Sequence, residues 1–311
     1  MSTARPSRRD LLRLVPLAAL ALAAPSLLSA CSDDEAPEEP GGDLQLASSD
    51  VERTAGLPAA VPDAVASLHT LGAGLWRELG ESPGNLALSP FSGGVALGLT
   101  SNGARGETLA QLREVLDAAD LDRLNGGLNA LTQHVESLAG AVQRGDGSDA
   151  ELLLDSANAL FGQRDTAWER DFLDVLAREY DAGMRLVAYA GASEQARALI
   201  NAWTAEQTHD RIEEIVPEGA LDVRTRLVLV NALYLKAPWE HPFEEFNTED
   251  RPFHLADGSP TRVPTMYAGL DSAAYARGPG WQAVRLPYAG GALAMTVVLP
   301  DEGRLGELEA S

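Results

Sequence analysis

From about residue 60 onward the sequence predicts a single α+β domain. Apolar residues first recur at helical spacing, from residue 62 to residue 138, and then give way to strand-like runs. One run, Leu227 to Leu235, is apolar at both alternating positions, as in a strand covered on both faces in the middle of a large sheet. No internal repeat or interior linker interrupts the span, so helices and strands are expected to share one core.

Val65, Leu68, Leu71 and Leu75 fall on one face of a first helix over 62–80. Ser89 is placed to cap the next helix, with Pro90 in its first turn, where a missing N–H costs nothing. Thr108 and Gln111 read as a capping box that opens a third helix, Leu112 and Leu116 facing inward. Leu121, Leu124, Leu128, Leu131, Val135 and Leu138 trace a fourth. Residues 143–149 read as an exposed turn. The Arg-Gly-Asp triplet inside it, Arg144 to Asp146, is a match that a Gly/Asp-rich loop meets by chance. A strand over 151–161 containing Asn158, a helix over 168–180 and a strand over 184–189 follow. Residues 193–209 are amphipathic, with Leu199, Ile200 and Trp203 on one side. The run from Arg224 to Leu235 returns to the sheet, and Gln282–Leu286 and Leu293–Leu299, joined through Tyr288-Ala289-Gly290-Gly291, predict an antiparallel hairpin.

Asn231 is the single amide inside the 227–235 run. A buried amide without partners costs about 1–3 kcal/mol, so a small hydrogen-bond network is expected around it. Trp239 and Phe243 close the segment with an aromatic pair.

The front of the chain concerns export. Arg5, Arg8, Arg9 and Arg13 precede an apolar stretch, Leu14 to Leu28, that ends in Leu28-Ser29-Ala30-Cys31. This is a signal peptide with a lipobox, and its apolar core is shorter than the ~20 residues of a spanning helix. Ser7-Arg8-Arg9-Asp10-Leu11-Leu12 also fits a twin-arginine signal, so either export route stays open. Cys31, the one cysteine of the chain, is expected to carry the lipid and to anchor the mature protein to a membrane at the cell envelope or surface. With no second cysteine, no intramolecular disulfide forms. The division expected is thus a signal peptide over 1–30, a disordered acidic Pro/Gly spacer over 31–59, and a folded domain over 60–311.

The formal charge is −22. The first thirty residues hold four Arg against one Asp, so their removal leaves −25. Such a surface repels nucleic acid and polyanionic sugars. Steering of a basic partner and plain solubility are both consistent with it. The chain has no Gly-x-Ser-x-Gly elbow, no His-Glu-x-x-His, no phosphate-binding glycine loop and no cysteine nucleophile, and its carboxylates have no spacing that marks an acid/base pair. Neither an enzyme nor a cofactor is expected.

Residues 224–243 resemble the central strand of the serpins, whose wording there is close to LVNA-x-YFKG-x-W followed by Pro-Phe. Asn85-Leu86-Ala87-Leu88-Ser89-Pro90-Phe91-Ser92 is similar to the family's N-x-x-x-SP-x-S, and Gly103-Ala104-Arg105-Gly106-Glu107-Thr108 to its GA-x-G-x-T turn. Asn158-Ala159-Leu160-Phe161, Asn201-Ala202-Trp203, Val216-Pro217-Glu218-Gly219, Leu286-Pro287-Tyr288 and Leu299-Pro300 follow in family order. The resemblance, in a bacterial lipoprotein form, implies N-terminal helices packed on a large mixed sheet plus smaller antiparallel sheets, with the 193–209 helix lying across the large sheet. It implies a monomeric inhibitor of a serine-type or cysteine-type protease. The protease cleaves an exposed loop, which inserts into the sheet before the acyl-enzyme is hydrolysed.

By the same resemblance Ser89, Ser92 and Asn231, with a histidine on a neighbouring strand, control sheet opening, and Trp239 with Lys236 sits where the loop enters. Plain alternatives stand beside each: Ser89 as a helix cap, Ser92 facing solvent, Asn231 serving a backbone group, Trp239 as core. Some family members bind glycosaminoglycans through a basic helix. Residues 120–140, in that place, hold one Arg and several carboxylates, against such binding. Thr208-His209-Asp210-Arg211-Ile212 stands where the family often has T-x-GK-I, so this turn must tolerate a Cβ. The family places its reactive loop after the strand ending at Leu299-Pro300. The reactive bond is therefore expected outside these 311 residues, and the alternative to an inhibitor is a non-inhibitory or truncated binding or scaffold protein of the same fold.

Overall fold

The computed structural model describes residues 45–80, 84–255, 258–269 and 273–309. Cys31 and the signal segment lie outside them. Strand β1 (Gln45–Ala47) is followed by helices α1 (Val61–Leu79), α2 (Pro90–Gly103), α3 (Gly106–Val115) and α4 (Leu121–Ser137). Then come β2 (Gly140–Gln143), β3 (Asp149–Gln163), α5 (Arg170–Tyr180), β4 (Met184–Val187), α6 (Tyr189–Gln207) and β5 (Leu227–Lys236). The hairpin β6 (Glu249–His254) and β7 (Pro260–Thr265), the strands β8 (Ala274–Gly278), β9 (Trp281–Pro287) and β10 (Ala294–Pro300), and a short α7 (Leu305–Glu309) complete the order.

The long strand β3 organises the large sheet. It runs antiparallel to β5 from Leu153↔Lys236 to Gly162↔Leu227, parallel to β4 from Leu160↔Met184, and antiparallel to β2 at its start. The sheet is mixed, and two smaller antiparallel sheets, β6–β7 and β8–β9–β10, stand beside it. This is the α+β arrangement that the sequence predicts.

Side-chain alternation divides the core into two. Leu160 of β3 and Leu227 and Leu229 of β5 face Leu68, Val95, Leu99, Leu128, Leu176 and Met184, drawn from α1, α2, α4, α5 and β4. Their neighbours Ala159, Phe161, Val228 and Val230 face Tyr189, Ala196, Ile200 and Trp203 of α6. The apolar period of α1 and α4 is the one read from sequence: Leu68, Leu71, Leu124 and Leu128 are buried. No helix among the described residues is long and apolar enough to cross a membrane.

Several expectations are corrected. The Thr108/Gln111 capping box does not form, because Gly106 at φ 58° turns the chain straight into α3 and leaves Thr108 inside the helix. The helix expected over 193–209 begins at Tyr189 and passes a non-helical Ala192. Residues 45–59, assigned to the spacer, are built onto the fold. β1 pairs antiparallel with β4, Thr54 N donates to the Arg178 carbonyl at 2.9 Å, and Arg53 donates to Asn129 Oδ1 at 2.9 Å and to Glu136 at 3.0 Å. Composition marked this stretch as polar, but its long-range partners lie 64 residues and more away.

The strand expected to be buried throughout, β5, is buried at Val230 and Ala232 and then emerges, with Leu233 37% and Leu235 46% exposed. Among the described residues β5 has a strand neighbour on one edge alone, and Ala232 is its last buried residue.

Candidate functional site: the interior and exit of β5

The polar interior of β5 is a pair of amides. Asn231 and Asn158 are register partners on the sheet face that α2 covers, and Asn231 Nδ2 donates to Asn158 Oδ1 at 2.8 Å. Asn231 Oδ1 is out of contact with water and has no hydrogen-bond partner among the described residues, as is true of Ser156 Oγ two positions before Asn158. An amide with half of its capacity unused, inside a dry sheet, costs rather than contributes stability. Ser89 is the N-cap of α2, its Oγ accepting from Ser92 N at 3.1 Å, with Pro90 at the first helical position. Both serines are half-buried in the first turn of the helix that packs on β5. The hydrogen bond described for Asn231 thus runs to Asn158, not to either serine. Asn158 was visible in the sequence as an amide inside a strand, but nothing local said which residue it would face.

Lys236 closes β5 exposed, opposite Leu153. Trp239 lies three residues on. Its ring stacks on Tyr288 at 4.6 Å and 16° and meets Phe243 edge to face at 6.0 Å. The backbone around it is held from both sides. Arg144 Nε donates to the Trp239 carbonyl at 2.9 Å and Gly145 N donates to the Glu240 carboxylate. On the other side Glu240 N donates to the Pro287 carbonyl at 3.0 Å, and Ala289 N to the Pro238 carbonyl at 2.8 Å. The β2–β3 turn and the end of β9 therefore clamp residues 238–240 and tie the large sheet to the β8–β10 sheet. Arg144 belongs to the Arg-Gly-Asp triplet, and its half-buried guanidinium is committed to this junction. Asp146 is committed too: it accepts from Ser148 N at 2.8 Å, and bonds from Ser148 hold its carboxyl below the usual carboxylate range.

On the opposite face, α6 packs across β3 and β5. The Tyr189 hydroxyl, its pKa pushed up by burial, donates to the Phe161 carbonyl at 2.9 Å. The Arg185 guanidinium lies 5.5 Å from the Trp203 ring and 5.8 Å from Phe161, and burial lowers its pKa although Glu206 opposes this. No group of three or more metal-binding side chains is present among the described residues.

A mixed sheet between four helices and one crossing helix, with an amide pair inside a long strand and a tryptophan clamped at that strand's exit, defines a sheet built around one specially held strand. The family model for serpins (serine protease inhibitors) matches residues 66–311, and the chain belongs to that family. It is 34% identical over 235 residues to Serpin B6 of Macaca fascicularis, covering 75% of this chain and 61% of the relative. It is 34% identical over 230 residues to the leukocyte elastase inhibitor of Sus scrofa, covering 73% and 58%. The chain therefore spans about three fifths of the length of these curated relatives. Among solved structures, a cleaved serpin superposes with a TM-score of 0.69 at 29% identity, over 80% of this chain and 66% of that one. An Arabidopsis serpin in its native stressed conformation gives 0.69 at 25% identity, over 80% and 64%.

Proposed function

We propose that the protein is an exported, lipid-anchored inhibitor of a serine-type or cysteine-type protease that acts by cleavage of an exposed loop and insertion of that loop into the large sheet. The observation that carries the reading is β5. It is a long apolar strand that hides an amide pair inside and carries a clamped tryptophan at its exit. Polar ties inside an otherwise apolar strand can hold two alternative arrangements apart, which suits a sheet that must admit another strand. Kinship with a leukocyte elastase inhibitor favours an elastase-like serine protease as the first target to try. Ser89, Ser92, Asn231, Lys236 and Trp239 are the residues proposed to control opening.

The test is incubation of the product of the natural reading frame with an elastase-like serine protease and with a papain-like cysteine protease, followed by denaturing electrophoresis. A 1:1 complex that survives denaturation is expected with one of them. Cleavage without a complex, or no reaction with either class, overturns inhibition and leaves the non-inhibitory binding reading.

The anchor rests on the lipobox sequence. Cys31→Ser is expected to release the protein from membrane to soluble fractions, and retention on the membrane would sink the proposal. The acidic surface supports a monomer that binds neither nucleic acid nor glycosaminoglycan.

A further inference from the structure

α6 is tied to the sheet at its two ends by contacts of opposite character. At its start Tyr189 is fully buried and donates to the Phe161 carbonyl at 2.9 Å. Just beyond, Ala192 leaves helical geometry at φ −151°, ψ 51°, so the body of the helix joins this anchor through a kink. At the far end, His209 and Asp210 follow the helix with φ of 50° and 59°. Residues with side chains seldom hold such conformations without outside support, and two in succession point to a constraint.

His209 has that support. Its Nε2 lies 2.9 Å from Asp155 Oδ2 on β3, and its ring lies 4.2 Å from Tyr234 on β5, tilted by 42°. Asp155 and Tyr234 stand directly opposite one another in the β3–β5 register. One side chain therefore grips one cross-strand pair. The grip is exposed to water, with 51% of the His209 side chain and 42% of the Asp155 side chain accessible, whereas the Tyr189 end is sealed. Next to it a gap of about 430 Å³ separates Thr208, Arg211 and Ile212 from residues 233–236.

We propose that α6 is a hinged arm, pivoting at Tyr189–Ala192 and latched by His209 to the Asp155–Tyr234 pair, whose release lifts residues 208–212 off the upper half of β5. An exposed hydrogen bond with one ring contact yields before a buried hydroxyl bond and a packed core do, so opening starts at the His209 end. The device is independent of the inhibitor reading, since it concerns how α6 is held to the sheet and not what reaches β5.

The test is amide hydrogen exchange on the full chain for wild type, His209→Gly, Asp155→Ala and the double variant. Glycine adopts positive φ without strain. If His209 merely fills the turn, His209→Gly leaves exchange over 200–212 unchanged or slower. The latch predicts instead a rise of roughly three- to tenfold over 200–212, the range set by an exposed hydrogen bond plus a ring contact. The reporters are the Asp210 N to Ala205 carbonyl and Arg211 N to Thr208 carbonyl bonds. Asp155→Ala, which leaves the Tyr234 contact in place, gives a smaller rise over the same residues, and the double variant rises no further than His209→Gly alone, because His209 and Asp155 share one bond. Asp155→Asn, which keeps shape and one hydrogen bond, falls between. The proposal is overturned by an unchanged or slower His209→Gly, by effects that add in the double variant, or by a rise that includes residues 189–192, where the pivot must stay closed.

Discussion

The two amides of the β3–β5 pair should not be equivalent to mutation. Asn158→Ala removes the one acceptor described for Asn231 and strands a buried donor beside an oxygen that already lacks a partner. The expected loss is about 2 kcal/mol, within the range of about 1–3 for an unsatisfied buried polar group. Asn231→Ala also breaks the bond, but it takes away the unpartnered Oδ1 at the same time. The two effects oppose each other, and the net change is expected within about 1 kcal/mol of zero. Once Asn231 is alanine, Asn158→Ala should add little, so the double variant resembles Asn231→Ala. Urea unfolding followed by circular dichroism and tryptophan fluorescence reads this directly. At a slope of about 3 kcal/mol/M, Asn158→Ala moves the midpoint down by about 0.7 M while Asn231→Ala scarcely moves it. Equal losses in the two single variants, or a larger loss for Asn231→Ala, would refute the reasoning, because either result requires Asn231 Oδ1 to be satisfied.

Arg144→Ala removes the bonds to the Trp239 carbonyl and to Ser148 Oγ at 3.2 Å, and is expected to cost about 1–2 kcal/mol. It should also alter the near-ultraviolet dichroism of the Trp239–Tyr288 stack, and an unchanged spectrum would show that the clamp does not position the ring. At Gly127 a Cβ would lie 2.6 Å from the Ala60 carbonyl oxygen and 3.1 Å from Ala64 Cβ, so Gly127→Ala forces α1 and α4 apart. A loss of about 1–3 kcal/mol, seen as a Tm lower by several degrees, is expected, and an unshifted Tm would contradict the close approach. Burial, with a smaller contribution from Glu179, raises the pKa of Tyr180, whose hydroxyl donates to Asn125 Oδ1, although a bond with Asn102 opposes the shift. The folded state therefore holds that proton more tightly than the unfolded chain does. Its contribution is intact below the ordinary tyrosine pKa of about 10 and is lost as pH rises above it. Tyr180→Phe should make the fall of Tm above pH 10 shallower, and an equally steep fall would place the alkaline sensitivity elsewhere.

Legibility in the sequence follows how local each determinant is. Helices α1 and α4 and the β9–β10 hairpin were readable because one face of each repeats within a few residues. β6 was not, since every residue from Glu249 to His254 is exposed and a strand without a buried face shows no alternation. The polar contacts were hidden for another reason. Arg144 and Trp239 are 95 positions apart, Asn158 and Asn231 73, and His209 and Asp155 54. Sequence showed that Asn231 needed a partner and that Asp210, next to His209, stood where the family often has glycine, but the answering residues were fixed by topology. Ser89 as a helix cap was readable from its place before Pro90, and its involvement with β5 stays a proposal.

The amide pair also explains how an almost wholly apolar strand keeps its place. β5 offers valine, leucine or alanine at most positions, and a displacement by two residues would return similar side chains to the same face of the sheet. Hydrophobic burial alone therefore distinguishes the native register poorly. The amides do not tolerate the slip. A shift by two sets Asn231 against Leu160 or Ser156 and Asn158 against Leu229 or Leu233, and with leucine opposite, an amide is buried without its bond at about 1–3 kcal/mol each. The Asp155–Tyr234 pair that His209 grips exists only in the same register. A polar group that costs stability in place thus makes every neighbouring alignment of β5 cost more, and the far end of α6 docks on the alignment so chosen.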